Sequence, residues 1–276
     1  NIIFALKVKI DRYELKRIIK YSMPLIPNNI SWWLINASDR YVIAWFLGNA
    51  SNGVYAISYK FANIIQTVTS LIYLAWQEVS LEEYNSKDKD VFYSKFFNSY
   101  MKLLMSGVLI AICCTKFVTV TFIENSYSSA WRYAGWLYMG VVFSALASFL
   151  NTCYLANGKT NEILKGTLLA GIINLIVNIT LINFIGIYAA SLSTAISSFV
   201  LLMRRIFDNK RYYNLEIEWK SFTILCLMCV VVSLAILMSE RYIIDICMLI
   251  VALIVAFVFN RNLLMLILKK LIQKKG

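Results

Sequence analysis

Long apolar runs dominate this chain and set what it can fold into. Eight of them reach the ~20 mainly apolar residues that a helix needs to cross a bilayer. They lie near 22–47, 54–79, 98–123, 133–156, 163–183, 187–206, 221–239 and 243–260. In hydrocarbon every backbone N–H and C=O must find its partner inside the protein, which leaves helices or a closed barrel. A barrel is built from ~10-residue segments of alternating polarity, and these runs are continuous. The sequence therefore predicts an all-α, polytopic membrane helix bundle of about eight transmembrane helices. Composition agrees: 15% of residues are charged, against roughly 25% in a soluble domain.

Charge between the runs sets an orientation. Most of the 27 Lys and Arg fall in 1–20, 80–97, 157–165, 204–220 and the tail from Asn260. The alternate connections hold little beyond Arg132 and Arg241. By the positive-inside rule the basic side is cytoplasmic. This predicts a multi-pass membrane protein with both ends of the chain cytoplasmic. The net charge of +12 is then a membrane signature, and no nucleic-acid partner is expected. The basic stretch LLMLILKKLIQKK near the C-terminus reads as an interfacial amphipathic helix. The opening KVKIDRYELKRIIKY follows neither an initiator Met nor a signal-peptide core, and reads as the interior of a longer protein.

Several chemistries are excluded. The chain has no histidine, so imidazole catalysis and His-ligated metals are out. All six cysteines sit in apolar runs; Cys226 and Cys229 have CxxC spacing but no second ligand pair, and read as small core residues. The connections near 124–130 and 239–242 are too short to house a catalytic domain. No catalytic or metal-binding residues are expected, and the chain is not expected to be an enzyme.

Against this background the first run, PLIPNNISWWLINASDRYVIAWFLG (24–48), is unusually polar. On a helical wheel of 100° per residue, Asn28, Asn29, Trp32, Trp33, Asn36, Asp39 and Arg40 fall within roughly 140° of arc. The second run does the same with Lys60, Asn63, Gln66, Thr67, Ser70, Gln77 and Glu78. A central Arg, Lys or Asp costs about 2.5–3.5 kcal/mol to insert, so these stripes face protein or a water-filled cavity. Two readings stay open: a hydrated substrate path, or ion pairing of Asp39 with Arg40 or Lys60 that pins two helices together. Candidate cavity residues are Asn29, Trp33, Asn36, Asp39, Arg40, Lys60, Asn63 and Gln66. Thr167, Gly171, Asn174 and Asn178 on the fifth run, with Ser144, Ser148 and Asn151 on the fourth, read mainly as helix-packing faces. Pro24 and Pro27 predict a bend in the first helix. The sequence Gly53-Val-Tyr55-Ala56 echoes Gly186-Ile-Tyr188-Ala189, with both tyrosines placed at a membrane interface.

The run PLIPNNISWWLINASDRYVIAWFLGNASNGVYAISYKF, followed by AWQEVSLEEY, DKDVFYSKFFN and IYAASLSTAISSFV, resembles the carboxy-terminal half of bacterial polysaccharide (O-antigen) flippases. These belong to the multidrug/oligosaccharidyl-lipid/polysaccharide exporter superfamily, and the resemblance spans nearly the whole chain. It implies a second six-helix lobe plus two terminal helices of a two-lobe transporter. In those terms 1–20 is a cytoplasmic basic segment, 21–206 the six-helix lobe, 207–220 a cytoplasmic loop, 221–260 the two additional helices and 261–276 a basic tail. The implied activity is flipping of undecaprenyl-pyrophosphate-linked oligosaccharide for O-antigen or capsule synthesis by alternating access. The implied partners are the polyprenyl-linked glycan, the lipid bilayer, the missing amino-terminal lobe, and a polysaccharide polymerase with glycosyltransferases. No cofactor is implied; the energy source would be a proton or sodium gradient or the membrane potential. In this frame Arg40 and Lys60 would offset diphosphate charge, the Asn and Gln residues would meet sugar hydroxyls, and Asp39 would hold Arg40 or take part in ion coupling. A peptidoglycan lipid-precursor flippase or a multidrug exporter of the same superfamily is the nearest alternative. A membrane glycan polymerase or ligase is the alternative of another class, disfavoured by the short outer connections.

Overall fold

The computed structural model describes residues 11–23, 25–239 and 242–273. The described residues form helices and short connections, with no strand among them. In chain order the helices are α1 (Arg12–Ser22), α2 (Leu25–Glu83), α3 (Lys89–Phe122), α4 (Trp131–Phe149), α5 (Asn151–Ala156), α6 (Thr160–Ile185), α7 (Tyr188–Asn209), α8 (Trp219–Met238) and α9 (Tyr242–Gln273). A 3₁₀ turn, Asn125–Ala130, leads into α4.

The long element α2 is two helices joined at one residue. Gly48 has φ 83 and ψ 172, a conformation open essentially to glycine alone. The arms, 25–47 and 49–83, run back along each other: Tyr55 Oη donates to Asp39 Oδ2 at 2.9 Å. Sixteen residues of straight helix would instead place these positions ~24 Å apart. With this reversal the arms of α2, α3, α4 with α5, α6, α7, α8 and α9 give eight long helical segments among the described residues. Six of the helical segments are long and apolar enough to cross a membrane: Lys89–Phe122, Asn125–Ala156, Thr160–Ile185, Tyr188–Asn209, Trp219–Met238 and Tyr242–Leu266. The two arms of α2 are not among these six, and they are where the polar stripes lie.

The expected bend at the prolines is absent from the described part of the first arm. Within Leu25–Glu83 the non-helical residue is Gly48. Pro27 falls in the opening turn, where a missing N–H breaks no helical bond. The separate interfacial helix expected near the C-terminus is also absent: α9 runs unbroken through 32 residues to Gln273.

The core is centred on α4, whose residues Leu137, Tyr138, Leu146, Ala147 and Phe149 are all buried. It packs most closely on α7. Gly140 permits this, since a Cβ there would stand 3.0 Å from Thr194 Cγ2 and 3.2 Å from the Thr194 carbonyl carbon. Helix α6 fills in beside α7 and the arms of α2, and α3 links this group to α8 and α9. Between α4 and α5 the helix breaks at Leu150, and the freed carbonyls are taken up by neighbours. Trp76 Nε1 donates to Phe149 O at 3.2 Å and Asn209 Nδ2 to Leu150 O at 3.3 Å. The Trp76 ring stacks on Phe149 at 4.0 Å, pinning the second arm of α2 to α4.

Contacts sort the connections into two ends. At the Gly48 end, Ser58 Oγ donates to Ala130 O at 2.7 Å, and Lys116 Nζ to Ser239 O at 2.9 Å. At the opposite, basic end, Asn157 bonds Tyr84, and Arg204 Nη1 donates to Lys165 O at 3.1 Å. There the segment 214–218 lies extended along α3, because Asn98 bonds both Glu216 O (2.7 Å) and Glu218 N (2.9 Å).

Outside the core the surface is apolar. Ile172, Ile176 and Phe184 of α6 and Ile243, Ile250, Ile254 and Phe257 of α9 are exposed. Contiguous exposed apolar surface of this extent marks a membrane-facing protein. Helix α6 is thus inverted relative to a soluble helix: its apolar face points outward while Thr167, Asn174 and Asn178 are fully buried.

Candidate functional site

The buried faces of α6 and α7 meet the α2 hairpin around Asp39. Its carboxylate is 2% exposed. Oδ1 accepts from Asn178 Nδ2 at 2.8 Å, and Oδ2 accepts from Tyr55 Oη at 2.9 Å. Thr194 Oγ1 lies 2.8 Å from Oδ2 and 3.0 Å from Ala190 O, so its single proton serves one of the two at a time. Behind this shell, Asn174 Nδ2 stands 3.3 Å from Ser193 Oγ and 3.4 Å from Thr194 Oγ1, and Ser38 Oγ donates to Asn174 Oδ1 at 3.5 Å. Asn178 Oδ1 is buried and has no hydrogen-bond partner among the described residues.

Local sequence explains the assembly. Asn174 and Asn178 are four residues apart, one above the other on a helix face. Asp39 lies nine residues before Gly48 and Tyr55 seven after it, so the hairpin brings them level. Thr194 is presented where Gly140 lets α7 close on α4.

Among the described residues every hydrogen-bond partner of Asp39 is neutral. Among the described residues it makes no ion pair, so of the two readings left open by the sequence the pairing with Arg40 or Lys60 does not occur. A buried carboxylate is normally paired or left protonated, because removing an ion from water costs several kcal/mol. Here hydrogen bonds from the second arm, α6 and α7 replace the counter-charge. Such a site can change its own charge by taking up a proton.

The stripe drawn from sequence therefore divides. Asp39 turns into the bundle. Arg40, 100° further round the wheel, is exposed, with its guanidinium 5.4 Å from the centre of the Tyr59 ring. Lys60 and Asn63 are exposed on the second arm and Gln66 is half-buried there. Trp32 is half-buried against the core cluster. The side chains of Asn29, Trp33 and Asn36 lie outside the described ones. Residue-type reasoning missed Tyr55, assigned to a membrane interface but 1% exposed, and Thr194. Their signal is spacing about Gly48 and Gly186, readable only once the reversals are known. Tyr188, the echo of Tyr55, instead packs edge-on against Tyr133 at 4.7 Å.

The whole is a bundle of long apolar helices with a polar cluster inside it. It superposes on the solved structure of the lipid II flippase MurJ in an inward closed conformation with a TM-score of 0.62, at 15% identity, covering 94% of this chain and 57% of that one. A MOP superfamily transporter from Pyrococcus furiosus, reported to have a binding pocket of reversed polarity, matches with a TM-score of 0.50 at 15% identity, covering 80% and 52%. Residues 2–134 match the family model described as "Polysaccharide biosynthesis protein". No curated protein sequence matches. The family match covers just under half of the chain, and the superpositions show a fold shared with these two transporters. The chain spans little more than half the length of the two solved transporters.

Proposed function

We propose that the protein flips a polyprenyl-diphosphate-linked oligosaccharide across the bacterial inner membrane for O-antigen or capsule synthesis, with this chain forming one lobe of a two-lobe transporter. The observation that carries the reading is Asp39, a buried carboxylate held by neutral donors from the α2 hairpin, α6 and α7. Neutralising it, by a proton or a small cation such as sodium, changes the hydrogen bonds it can accept. That couples an ion gradient to the relative placement of three elements. Arg40 and Lys60, exposed on the arms of the hairpin, offset the diphosphate charge as the head group passes. The basic end faces the cytoplasm, where glycosyltransferases supply the substrate, and a polymerase takes the product from the opposite leaflet.

The test uses full-length protein in liposomes with labelled lipid-linked glycan. Wild type is expected to flip it faster under an imposed proton or sodium gradient; the two gradients applied separately identify the ion. Asp39→Asn is expected to fold and bind substrate but to lose the gradient dependence. An Asp39→Asn protein that keeps it would sink the coupling role. Transport of the peptidoglycan lipid precursor in preference to the glycan would redirect the substrate assignment.

A further inference from the structure

Between the second arm of α2 and α4, toward the basic end, lies a groove of about 220 Å³. Gln66, Ser70 and Tyr73 line it from one side and Ser144 and Ser148 from the other. Sequence periodicity assigns Ser144 and Ser148 to helix packing, yet both are only half-buried and open onto this space. Ser70 Oγ donates to Gln66 O at 2.7 Å and Ser144 Oγ to Val141 O at 3.2 Å. Each of these hydroxyls thereby keeps free lone pairs and acts as an acceptor. The Gln66 amide and the Ser148 hydroxyl make no hydrogen bond to the described residues, so the groove offers donors as well. Leu74 and Ala145 add an apolar strip.

The chemistry is specific. None of the lining residues carries a formal charge, which distinguishes this space from the Arg40 and Lys60 positions. Donors and acceptors sit beside an apolar strip, between the core helix α4 and an arm whose outer face carries exposed Ile64, Val68 and Leu71. These half-buried groups are left to bond water or a ligand with hydroxyls of its own. A pyranose ring has that pattern: hydroxyls around its edge and C–H faces above and below.

We propose that this groove is a saccharide subsite, reading one uncharged sugar of the head group apart from the diphosphate. The assignment rests on the flippase reading. Gln66, Ser144 and Ser148 set sugar specificity here, while Arg40 and Lys60 act on the diphosphate.

The experiment measures binding of two probes to full-length protein in nanodiscs: undecaprenyl diphosphate, and undecaprenyl diphosphate carrying a neutral disaccharide. Wild type is expected to prefer the sugar-bearing lipid. Ser148→Leu fills the groove and is expected to lower affinity for that lipid about tenfold, leaving the sugarless lipid unchanged. The milder pair Ser144→Ala with Ser148→Ala keeps the fold, verified by its melting temperature, and is expected to cost about three- to tenfold on the same probe only. Equal wild-type affinity for the two lipids, or variants that weaken both equally or neither, would overturn the subsite while leaving the flippase reading intact. Wild type that binds neither lipid would overturn the flippase reading, and the subsite with it.

Discussion

Tyr55 donates its hydroxyl to the Asp39 carboxylate at 2.9 Å, closing the α2 hairpin across a reversal made at one glycine. The bond links two arms of one helix to a group that α6 and α7 also grip. Removing the hydroxyl with Tyr55→Phe leaves the ring's packing and deletes one donor to a charged acceptor. A loss of about 1.5–3 kcal/mol is expected, read as a lower melting temperature in detergent. In a double-mutant cycle with Asp39→Asn the two losses are expected to be non-additive; strict additivity would show that the bond contributes nothing.

Gly48 is the only residue type suited to φ 83 with ψ 172. Gly48→Ala meets open space, since nothing stands within 4 Å of the new Cβ, so its cost is purely conformational. About 1–3 kcal/mol of destabilisation is expected, visible in thermal unfolding. Gly107→Ala, equally unobstructed but inside a helix, is expected to be neutral or stabilising.

Gly140 makes the opposite kind of prediction. Its backbone is helical, and the obstruction is Thr194 at 3.0 Å. Gly140→Ala pushes α7 away from α4 at the residue that donates to Asp39, costing about 1–3 kcal/mol through overpacking. Gradient-driven transport is expected to fall alongside stability, whereas the Gly48 variant affects stability first.

Lys116 Nζ and Asp245 Oδ2 pair at 2.8 Å between α3 and α9, each side chain under 15% exposed. The lysine also lies 5.1 Å from the Trp131 ring centre. Asp245→Ala strands a buried cation and is expected to cost about 3–5 kcal/mol. Replacing both partners, Lys116→Met with Asp245→Leu, is expected to return stability close to wild type. Cysteine cross-linking between α3 and α9 would show the last helix detached in the single variant and docked in the double.

Glu218 at the basic end is bonded by Lys102 at 2.7 Å. That hydrogen bond, the largest influence, holds its carboxyl below the usual glutamate range. A carboxyl lower in the folded state stabilises above its unfolded pKa, and that contribution is lost as pH falls through the folded value. Acidification below the ordinary glutamate range of about 4.3 is therefore expected to loosen the 214–218 segment from α3. Hydrogen exchange of that segment should rise with acid in wild type and be fast at all pH in Glu218→Gln.

The sequence by itself determined the fold class, because hydrophobicity over ~20 residues is a local property that lipid reads directly. It also located the polar arms, since periodicity of 3.6 puts Asp39 and Asn29 on one side without tertiary information. The packing faces of α6 were legible for the same reason: Thr167, Asn174 and Asn178 repeat at helical spacing and are buried. Only the tertiary structure decided which polar residues face each other. The reversal at Gly48 took Asp39 from its neighbour Arg40 and gave it to Tyr55, Asn178 and Thr194, the last two more than a hundred positions distant in sequence. A helical wheel places a side chain relative to its own axis and says nothing about the helix opposite. That is why the wheel left Asp39 open between a hydrated path and an ion pair while the fold sets it among neutral donors, and why two serines read as packing residues line a groove.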